Sequence, residues 1–221
     1  MYELMVISFL NQKGGVGKTT LALHVAVGLQ MQGCGRGLVI DADPQGSALD
    51  WQARRESSSP VPVVGMPKPT LHRDAPAVGD DADYLVIDGP PRMDVIAKSA
   101  IAASDLVCIP VQPSPLDVWA AREIFDLVEE CRVLKPGLMV RFVINRAVQR
   151  TLLAAEVESA LAAFETPLLP VVRNRTEYAK AIRTGQTAME TQPRGQAARE
   201  IKTLAAAVWD AAQGEPCRTG A

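Results

Sequence analysis

Short, uniformly apolar runs alternate with longer segments of helical periodicity along most of this chain. In the first long segment, Leu21, Val25 and Leu29 recur at four-residue spacing, as side chains do on the buried side of a helix. Apolar strands that alternate with helices are typical of parallel sheets covered on both faces. The pattern therefore predicts an α/β fold, a single-domain, doubly wound, mainly parallel sheet flanked by helices. The predicted strands are residues 5–10, 37–41, 84–88, 106–111, 138–144 and 167–171, and the predicted helices are residues 19–32, 116–134, 151–164, 176–184 and 195–212.

Two segments depart from this alternation. Residues 52–80 are rich in Pro, Ser and Gly and show no clear period. They are expected to form an irregular surface excursion with room for one short strand. Residues 213–221 (QGEPCRTGA) are expected to form a disordered tail. Residues 1–212 are therefore predicted to be one domain.

Composition narrows the class of protein. The apolar fraction of 48% is sufficient for a packed core. The 4 cysteines form no C-x-x-C pair and no His-rich cluster accompanies them, which favours reduced thiols over a disulfide framework or a zinc site. Residues 1–11 lack the basic stretch and cleavage site of a secretion signal, and no apolar run approaches the ~20 residues of a membrane span. A cytoplasmic protein is expected.

Charge is distributed unevenly along the chain, although the net charge is only −2. Residues 1–140 contain 12 Lys and Arg against 17 Asp and Glu, a net charge of −5. Residues 141–202 contain 10 Lys and Arg against 6 Asp and Glu, a net charge of +4. The basic C-terminal third permits an anion-binding patch.

A glycine-rich loop, KGGVGKTT at residues 13–20, follows the first predicted strand and precedes the first predicted helix. Its glycines allow backbone N–H groups to approach phosphate oxygens, and the helix presents its N-terminus to the same anion. In such a loop Lys18 reaches the β- and γ-phosphates and the Thr19 hydroxyl ligates Mg²⁺. The sequence therefore predicts a P-loop that binds ATP and Mg²⁺ within the 1–212 domain.

Three carboxylates stand at the ends of predicted strands. Asp41 and Asp43 follow the second strand, and Asp88 closes the third. Because the carboxyl ends of parallel strands border the ligand crevice of such sheets, these side chains are expected beside the nucleotide. One of them is expected to hold Mg²⁺ through water, and another to orient the attacking water.

At these residues the chain resembles the ParA/MinD family of deviant Walker A ATPases, and most closely the small plasmid partition ParA proteins of the ParF type. The distinguishing residue is Lys13, the first lysine of the loop. The resemblance covers about residues 5–208, with 52–80 poorly matched. The segments that carry it are 13–20; 40–47 with Trp51, similar to the DxDPQ switch; 86–91, similar to the Walker B segment and second switch; 109–117, similar to a proline-rich stretch; and 173–204, similar to the C-terminal region.

The resemblance implies a role for each matched residue. Lys13 would contact nucleotide held by the partner subunit, so that ATP joins a homodimer, while Asp43 would orient the hydrolytic water. Asn145 would bind adenine; the alternative is a plain Asn at the end of a strand. Pro113 would line the base pocket or the dimer face; the alternative is a stiff connection into a helix that is capped at Ser114 or Asp117. The implied catalytic residues are Lys13, Lys18, Asp41 and Asp43; the implied nucleotide-binding residues are Gly14, Gly15, Val16, Gly17, Lys18, Thr19, Thr20, Pro113 and Asn145; the implied Mg²⁺-binding residues are Thr19 and Asp88.

The function implied first is ATP-dependent DNA partition. The slow ATPase would dimerise with Mg-ATP, coat nucleoid DNA without sequence preference, and be stimulated by a ParB-like centromere-binding protein. The alternative is a positioning ATPase for a protein cargo or a membrane-associated regulator of the MinD kind. Membrane attachment would need an amphipathic C-terminal helix, which residues 213–221 cannot form, so no stable membrane association is expected. Plasmid, chromosome, integrative element and protein cluster are all compatible cargoes.

Two related enzyme classes are disfavoured. An iron protein of the nitrogenase type would need cysteines beside the second switch, where neither Cys108 nor Cys131 falls. A GTPase of the signal-recognition type would need an N/T-K-x-D base motif, and residues 143–148 lack its Asp.

DNA contact is expected from the basic C-terminal third. The last predicted helix places Ala197, Ile201, Leu204 and Val208 on one apolar stripe, with Arg199 on the opposite side. No recognition helix or zinc finger is apparent, so phosphate contact is the expected mode. The alternative is that these cations are ordinary solvated surface charges. The candidate DNA-binding residues are Arg175, Lys180, Arg183, Arg194, Arg199 and Lys202.

Overall fold

The computed structural model describes residues 4–92, 94–148 and 152–214, in which seven strands form one sheet. Every strand pair is parallel, and the spatial order is β3-β2-β4-β1-β5-β6-β7. This confirms the predicted α/β fold. The strands are β1 (Met5–Phe9), β2 (Gly37–Asp41), β3 (Val63–Gly65), β4 (Tyr84–Asp88), β5 (Leu106–Val111), β6 (Met139–Ile144) and β7 (Leu168–Leu169).

Helices cover both faces of the sheet. One apolar cluster joins the first two and the last three helices to one face, and a second cluster joins the four central helices to the other. No helix of the described part of the chain is both long and apolar enough to cross a membrane. The helices are α1 (Lys18–Met31), α2 (Ser47–Ala53), α3 (Leu71–Val78), α4 (Val95–Ala103), α5 (Pro115–Arg132), α6 (Leu152–Ala162), α7 (Thr176–Arg183), α8 (Ala188–Thr191) and α9 (Gln196–Ala212).

The segment 52–80 is more regular than its sequence suggests. It contains the edge strand β3, which pairs in parallel with β2, and the helix α3. Three strand residues are too few to show an alternating pattern, and α3 buries only Leu71 and Ala75. Helix α4 was also absent from the predicted elements, although Asp94 caps it by accepting hydrogen bonds from the N–H groups of Ile96 and Ala97.

The predicted apolar stripe of the last helix is confirmed. Ala197, Ile201, Leu204 and Val208 of α9 are all buried, mainly against α1. The two helices approach closely at Gly28, where a Cβ atom would lie 3.1 Å from the Cβ of Ala205 and 3.4 Å from Ile201. Cys34, Cys108 and Cys131 are free thiols. Cys217 and most of the predicted tail, residues 215–221, lie outside the described residues.

The strand order reverses around β1. The chain lays β2, β3 and β4 on one side of β1 and then β5, β6 and β7 on the other. In the register of the sheet Phe9 lies opposite Asp88, and Asp88 lies opposite Asp41. The carboxyl ends of β1, β2 and β4 therefore meet at the switch point, which is where doubly wound sheets bind ligands.

Candidate functional site

The glycine-rich loop is fixed at its start by Asn11, which follows β1 and is fully buried. The Asn11 amide nitrogen donates to the Pro110 carbonyl at 2.6 Å, and its amide oxygen accepts from the Lys13 N–H at 2.8 Å. Gly15 and Gly17 have φ of +75° and +103°, the left-handed conformation that favours glycine. The loop is therefore tied to β5 and turns sharply into α1.

Open space lies above the loop. Added Cβ atoms at Gly14 and Gly15 would meet no atom of the described residues within 4 Å. Among the described residues no side chain caps the N-terminus of α1, and the first turn of this helix contains no acidic residue. The first N–H groups of this 14-residue helix are thus left to an external acceptor, and its dipole favours an anion there.

Lys18 and Asp88 form the polar floor of the site. Lys18, the first residue of α1, is buried, and burial lowers the pKa of its amine, partly offset by the carboxylates of Asp88 and Asp43. Burial raises the pKa of Asp88 to about 7; the Thr19 hydroxyl and the Lys18 charge act in the opposite direction. Neither carboxylate oxygen of Asp88 accepts a hydrogen bond of standard geometry from the described residues.

This arrangement fits Mg²⁺ held jointly with a nucleotide. Both oxygens of the Asp88 carboxylate are buried and accept no hydrogen bond of standard geometry from the described residues, and the hydroxyl of the half-buried Thr19 lies beside this carboxylate. No cluster of three or more His, Cys, Asp or Glu in the described residues could hold a metal by itself. Mg²⁺ commonly binds one or two protein oxygens together with phosphate oxygens, so the phosphates would complete its coordination.

The Asp41 carboxylate binds backbone N–H groups at the start of α2. It accepts hydrogen bonds from the N–H groups of Ala48 at 2.9 Å, Leu49 at 3.0 Å and Asp43 at 3.2 Å. Burial raises the pKa of Asp41, and these three bonds oppose the rise. In this structure Asp41 positions the segment that leads into α2. That contact accounts for its place at the strand end, while its catalytic role stays a prediction.

Asp43 lies on the more accessible side of the same segment. It is half-buried, and its Oδ1 accepts from the Gln45 N–H at 2.9 Å, which forms a turn before α2. The Asp43 charge raises the pKa of Lys18, which opposes the effect of burial. The orientation of a water molecule by Asp43 stays a prediction.

The distinguishing lysine, Lys13, contacts helix α5. Its Nζ lies 2.5 Å from Oδ2 of Asp117, and the side chains are 39% and 1% exposed, respectively. The other Asp117 oxygen is buried without a partner among the described residues. Ser114 is the N-cap residue of α5 but makes no side-chain cap hydrogen bond. Asp117, in the first turn of α5, pairs with the loop lysine.

A cavity of about 430 Å³ adjoins the loop on the β5 and β6 side. Gln112, at its edge, donates from Nε2 to the Gly15 carbonyl at 2.9 Å, which ties the cavity wall to the P-loop. The cavity is within the size range of small-molecule sites and can contain a purine. It is lined by Gln112, Pro113, Ser114, Arg146, Val148, Leu153 and Asn174.

Asn145 supports the loop from below. Its amide nitrogen donates to the Val16 carbonyl at 2.8 Å, and its amide oxygen accepts from the Arg146 N–H at 2.9 Å. A Cβ atom at Gly17 would collide with the Asn145 amide, so this glycine is needed for the close approach. Both ends of the side chain are engaged in this structure. Its contact with adenine stays a prediction, and the polar residues that line the cavity are Gln112, Ser114, Arg146 and Asn174.

Val16 and Thr20 complete the loop. Val16 is fully buried beneath it, and Thr20 is half-buried in the first turn of α1. The Thr20 carbonyl accepts a hydrogen bond from Nδ1 of His24, while Nε2 of that ring accepts from the Ala188 N–H at 3.0 Å. His24 is therefore neutral and structural, and burial lowers its pKa to about 4.

The candidate DNA-binding residues divide into two groups. Arg175 is largely engaged within the protein, since its guanidinium lies 2.7 Å from Glu200, which also accepts from the Tyr178 hydroxyl at 2.9 Å. Contact of Arg175 with DNA, as predicted, would require this network to open. In this structure the role of the side chain is the ion pair with Glu200. The others are exposed on α7, α9 and the loop between α8 and α9: Lys180, Arg183, Arg194, Arg199 and Lys202.

Several site residues were not singled out from the sequence. Asn11 and Gln112 stand directly after apolar strands, which is the one signal that could have found them. The sequence pattern does not single out Trp119 either. It is 66% exposed on α5, and Leu116, three residues earlier on the same side of this helix, is 60% exposed.

Comparison with known proteins gives the family. The CobQ/CobB/MinD/ParA nucleotide binding domain matches residues 7–188. The chain is 30% identical over 200 residues to the Maintenance of carboxysome distribution protein A of Halothiobacillus neapolitanus, covering 89% of this chain and 92% of that protein. It is 31% identical over 234 residues to the Chromosome-partitioning ATPase Soj of Thermus thermophilus, covering 90% and 93%.

Solved structures agree on the fold. The septum site-determining protein MinD of Pyrococcus horikoshii OT3, complexed with Mg-ADP, superposes with a TM-score of 0.73 at 19% identity, covering 92% of this chain and 95% of that one. At that identity the likeness concerns the fold alone. Together with the P-loop at the switch point and the match over residues 7–188, it shows that this chain belongs to the ParA/MinD family of nucleotide-binding ATPases.

Proposed function

We propose that this protein is a Mg-ATP-dependent positioning ATPase that distributes a protein cargo over DNA. The observation that carries the choice of cargo is the similarity to a carboxysome distribution protein, which extends over 89% of the chain. The ATPase activity follows from the family and from a site built for a phosphate chain and Mg²⁺. The protein would work in the cytoplasm, associated with the nucleoid.

The residues of one subunit bind and orient the nucleotide. Lys18 and the N–H groups of the first turn of α1 hold the phosphates, and the cavity beside Pro113 takes the base. Mg²⁺, held by Thr19 and Asp88, neutralises phosphate charge when bound. Asp43 orients the attacking water, and Asp41 holds the segment that carries Asp43 in place.

A second subunit would complete the site. Lys13 stands 39% exposed at the edge of the loop, where it can leave Asp117 for phosphates bound by a partner subunit. The apolar side chains of Leu116 and Trp119 lie three residues apart on the same side of α5 and expose 60% and 66% of their surfaces. Exposed tryptophans of this kind are enriched in the centres of interfaces. This supports a homodimer formed through the P-loop side of the molecule.

DNA serves as the matrix in this proposal. Lys180, Arg183, Arg194, Arg199 and Lys202 are exposed, and the net charge of residues 141–202 is +4 although the whole chain carries −2. A single subunit offers few cations, so binding of one copy to DNA is expected to be weak. Dimerisation with ATP would double the number of phosphate contacts, and hydrolysis stimulated by a cargo-bound adaptor protein would release the dimer.

The choice between cargoes is tested with the hydrolysis-deficient Asp43→Ala protein expressed in its native cell. Its bound DNA and bound proteins are identified after crosslinking, with Lys18→Ala as the control that should not bind nucleotide. A protein-cargo function predicts that DNA is recovered evenly along the chromosome, together with subunits of one protein assembly. Enrichment of one discrete DNA locus with its own binding protein would contradict it.

DNA partition is the second candidate. The observation that favours it is the similarity to a chromosome-partitioning ATPase over 90% of the chain. In this case the stimulating partner would be a ParB-like centromere-binding protein, and the discrete locus in the crosslinking experiment would be its binding site.

A further inference from the structure

A basic hollow lies between the C-terminal ends of α2 and α7, in a part of the protein that the nucleotide site does not use. Its volume is about 620 Å³. Three of its seven lining residues are arginines, and Glu56 is the one lining residue with a carboxylate. The lining residues are Arg54, Arg55, Glu56, Ser57, Arg183, Thr184 and Gln186.

The base of the hollow is the buried side chain of Arg55, which is 5% exposed. Its guanidinium donates to the Gly185 carbonyl at 2.6 Å and pairs with Glu190 at 2.7 Å. The third nitrogen, Nε, is buried and has no acceptor among the described residues. A buried charged donor without an acceptor is costly, so this wall of the hollow is short of one hydrogen-bond acceptor.

The rim supplies two further cations. Arg54 caps the C-terminus of α2 and Arg183 ends α7, and both side chains are exposed. Within the described residues neither forms an ion pair. Lys180 lies one helical turn before Arg183 on α7 and is also exposed. The hollow therefore presents guanidinium groups to solvent, in the arrangement that suits phosphate oxygens.

The hollow is joined to the nucleotide site through α2. The N–H groups of Ala48 and Leu49, at the start of this helix, are held by Asp41. At its other end Trp51 donates from Nε1 to the Gln186 carbonyl at 3.1 Å, and a Cβ atom at Gly185 would lie only 2.7 Å from the Arg55 backbone nitrogen. A helix of seven residues is about 10 Å long. Asp41 and the hollow thus contact opposite ends of one short helix.

We propose that this hollow binds phosphate groups of the DNA backbone, and that α2 couples this contact to the segment carrying Asp41 and Asp43. The inference rests on the proposed binding of DNA and adds to it a site that includes Arg54 and Arg55. The backbone is favoured over a free phosphate because the cations extend beyond one hollow. A second hollow, lined in part by Arg199 and Lys202, has Met189 of α8 in its wall. Arg55, at the base of the first hollow, pairs with Glu190 of the same helix. The spread of cations matches a polyanion.

The test compares four double variants of the chain in Mg-ATP. Anisotropy of a labelled random-sequence duplex is measured across a salt titration. The hollow is tested by Arg54→Ala with Arg183→Ala, and the α9 cations by Arg199→Ala with Lys202→Ala. The matched control is Arg36→Ala with Arg73→Ala, which removes the same charge from exposed residues elsewhere. A second hollow variant, Arg54→Gln with Arg183→Gln, keeps much of the aliphatic stems, and thermal unfolding checks that every variant is folded.

Both hollow variants are expected to bind DNA about tenfold more weakly than the control, with a salt slope reduced by about 1 for each lost phosphate contact. If they match the control while the α9 variant loses affinity, neither the hollow nor Arg183 contacts DNA, and the proposed function rests on the remaining cations. If the wild-type protein shows no ATP-dependent DNA binding, the DNA part of the proposed function fails with it.

Two further arms separate the ligand and the coupling. The first arm tests binding of inorganic phosphate at constant ionic strength, and of polyglutamate, to the hollow. If either one binds there while DNA affinity is unchanged in both hollow variants, the site belongs to another anion and the proposal is overturned. Saturating duplex is expected to change ATP turnover of the wild-type protein at least twofold, and to change turnover of the hollow variants less. Equal responses in all variants would contradict coupling through α2.

Discussion

Lys13 and Asp117 form an ion pair at the edge of the P-loop, with 2.5 Å between Nζ and Oδ2 and with Asp117 almost completely buried. The lysine that would act on the partner's nucleotide is thus held within its own subunit. If Lys13 binds a partner subunit's nucleotide as proposed, it must exchange the Asp117 carboxylate for a phosphate. The ion pair would then oppose dimerisation by an amount set by its own strength.

Asp117→Asn is expected to favour the ATP-bound dimer. The change removes the charge that holds Lys13 and keeps the size of the side chain. A partly exposed pair is worth about 1 kcal/mol, so the ATP concentration for half-maximal dimerisation should fall about fivefold. Light scattering across an ATP titration measures this, with Asp126→Asn on the exposed side of the same helix as the control. Weaker dimerisation in the Asp117 variant would mean that this carboxylate serves the dimer itself.

Trp119 is expected to report on dimerisation. Of the 3 tryptophans, Trp51 is 2% exposed and Trp209 is half-buried against Tyr84, whereas Trp119 is 66% exposed. Covering Trp119 with a second subunit should shift its emission to shorter wavelength on addition of Mg-ATP. The shift should be absent in Trp119→Phe and retained in Trp209→Phe. A shift that persists in Trp119→Phe would place the interface elsewhere.

Asp41 and Asp43 are expected to differ in what they support. Asp41→Ala leaves three N–H groups at the start of α2 without their acceptor, and should lower the free energy of unfolding by about 2 kcal/mol. Asp43→Ala should change stability by about 0.5 kcal/mol or less, but lower ATP turnover about 100-fold with nucleotide still bound. Urea unfolding and single-turnover kinetics on both variants measure the contrast. Wild-type turnover by Asp43→Ala would assign the water to another residue.

His24 gives the protein a pH dependence of known sign. Burial lowers its pKa to about 4 in the folded state, against about 6.5 when unfolded. The folded state therefore binds fewer protons than the unfolded state. The stability contributed by the neutral His24 side chain is fully present above pH 6.5 and is lost as pH falls towards 4. The loss amounts to about 3 kcal/mol.

The test compares the unfolding free energy of wild-type protein with that of His24→Gln between pH 7.5 and 4.5. The difference between them should shrink as pH falls, since only the wild-type protein has an imidazole to protonate there. His72→Gln, at the other histidine, is the control because that side chain is exposed. A pH-independent difference for His24→Gln would contradict the buried neutral imidazole.

The parts of the molecule that the sequence predicts best are those with a long pattern or a local motif. The strands β1, β2 and β4 are almost entirely apolar. β1 leads into the glycine loop, and β2 and β4 end in Asp41 and Asp88, so both the sheet and the meeting of these residues could be anticipated. The buried stripe of α9 is equally clear, since it repeats over four turns. Helix α2 was missed because only Ala48 and Trp51 are buried along its seven residues.

Contacts between distant segments could not be predicted in the same way. The pairing of Lys13 with Asp117 spans 104 positions, and that of Arg175 with Glu200 depends on how α9 packs beside α7. Asn145 illustrates the limit of motif reasoning. Its place at the end of β6 was correctly predicted, but its contact with the Val16 carbonyl depends on the separation of two loops in the folded chain.

In the proposed function, the P-loop binds Mg-ATP and Lys13 of a second subunit completes the site. Light scattering of wild-type, Lys13→Ala and Lys18→Ala proteins with Mg-ATP and with Mg-ADP tests this most directly, alongside titration of fluorescent nucleotide. The wild-type mass should double from 23.7 kDa with Mg-ATP only. Lys18→Ala should lose nucleotide binding by about 100-fold or more, because it removes the buried cation of the site. Lys13→Ala should bind nucleotide normally, stay monomeric and not hydrolyse ATP. Normal dimerisation and turnover by Lys13→Ala would contradict the shared site.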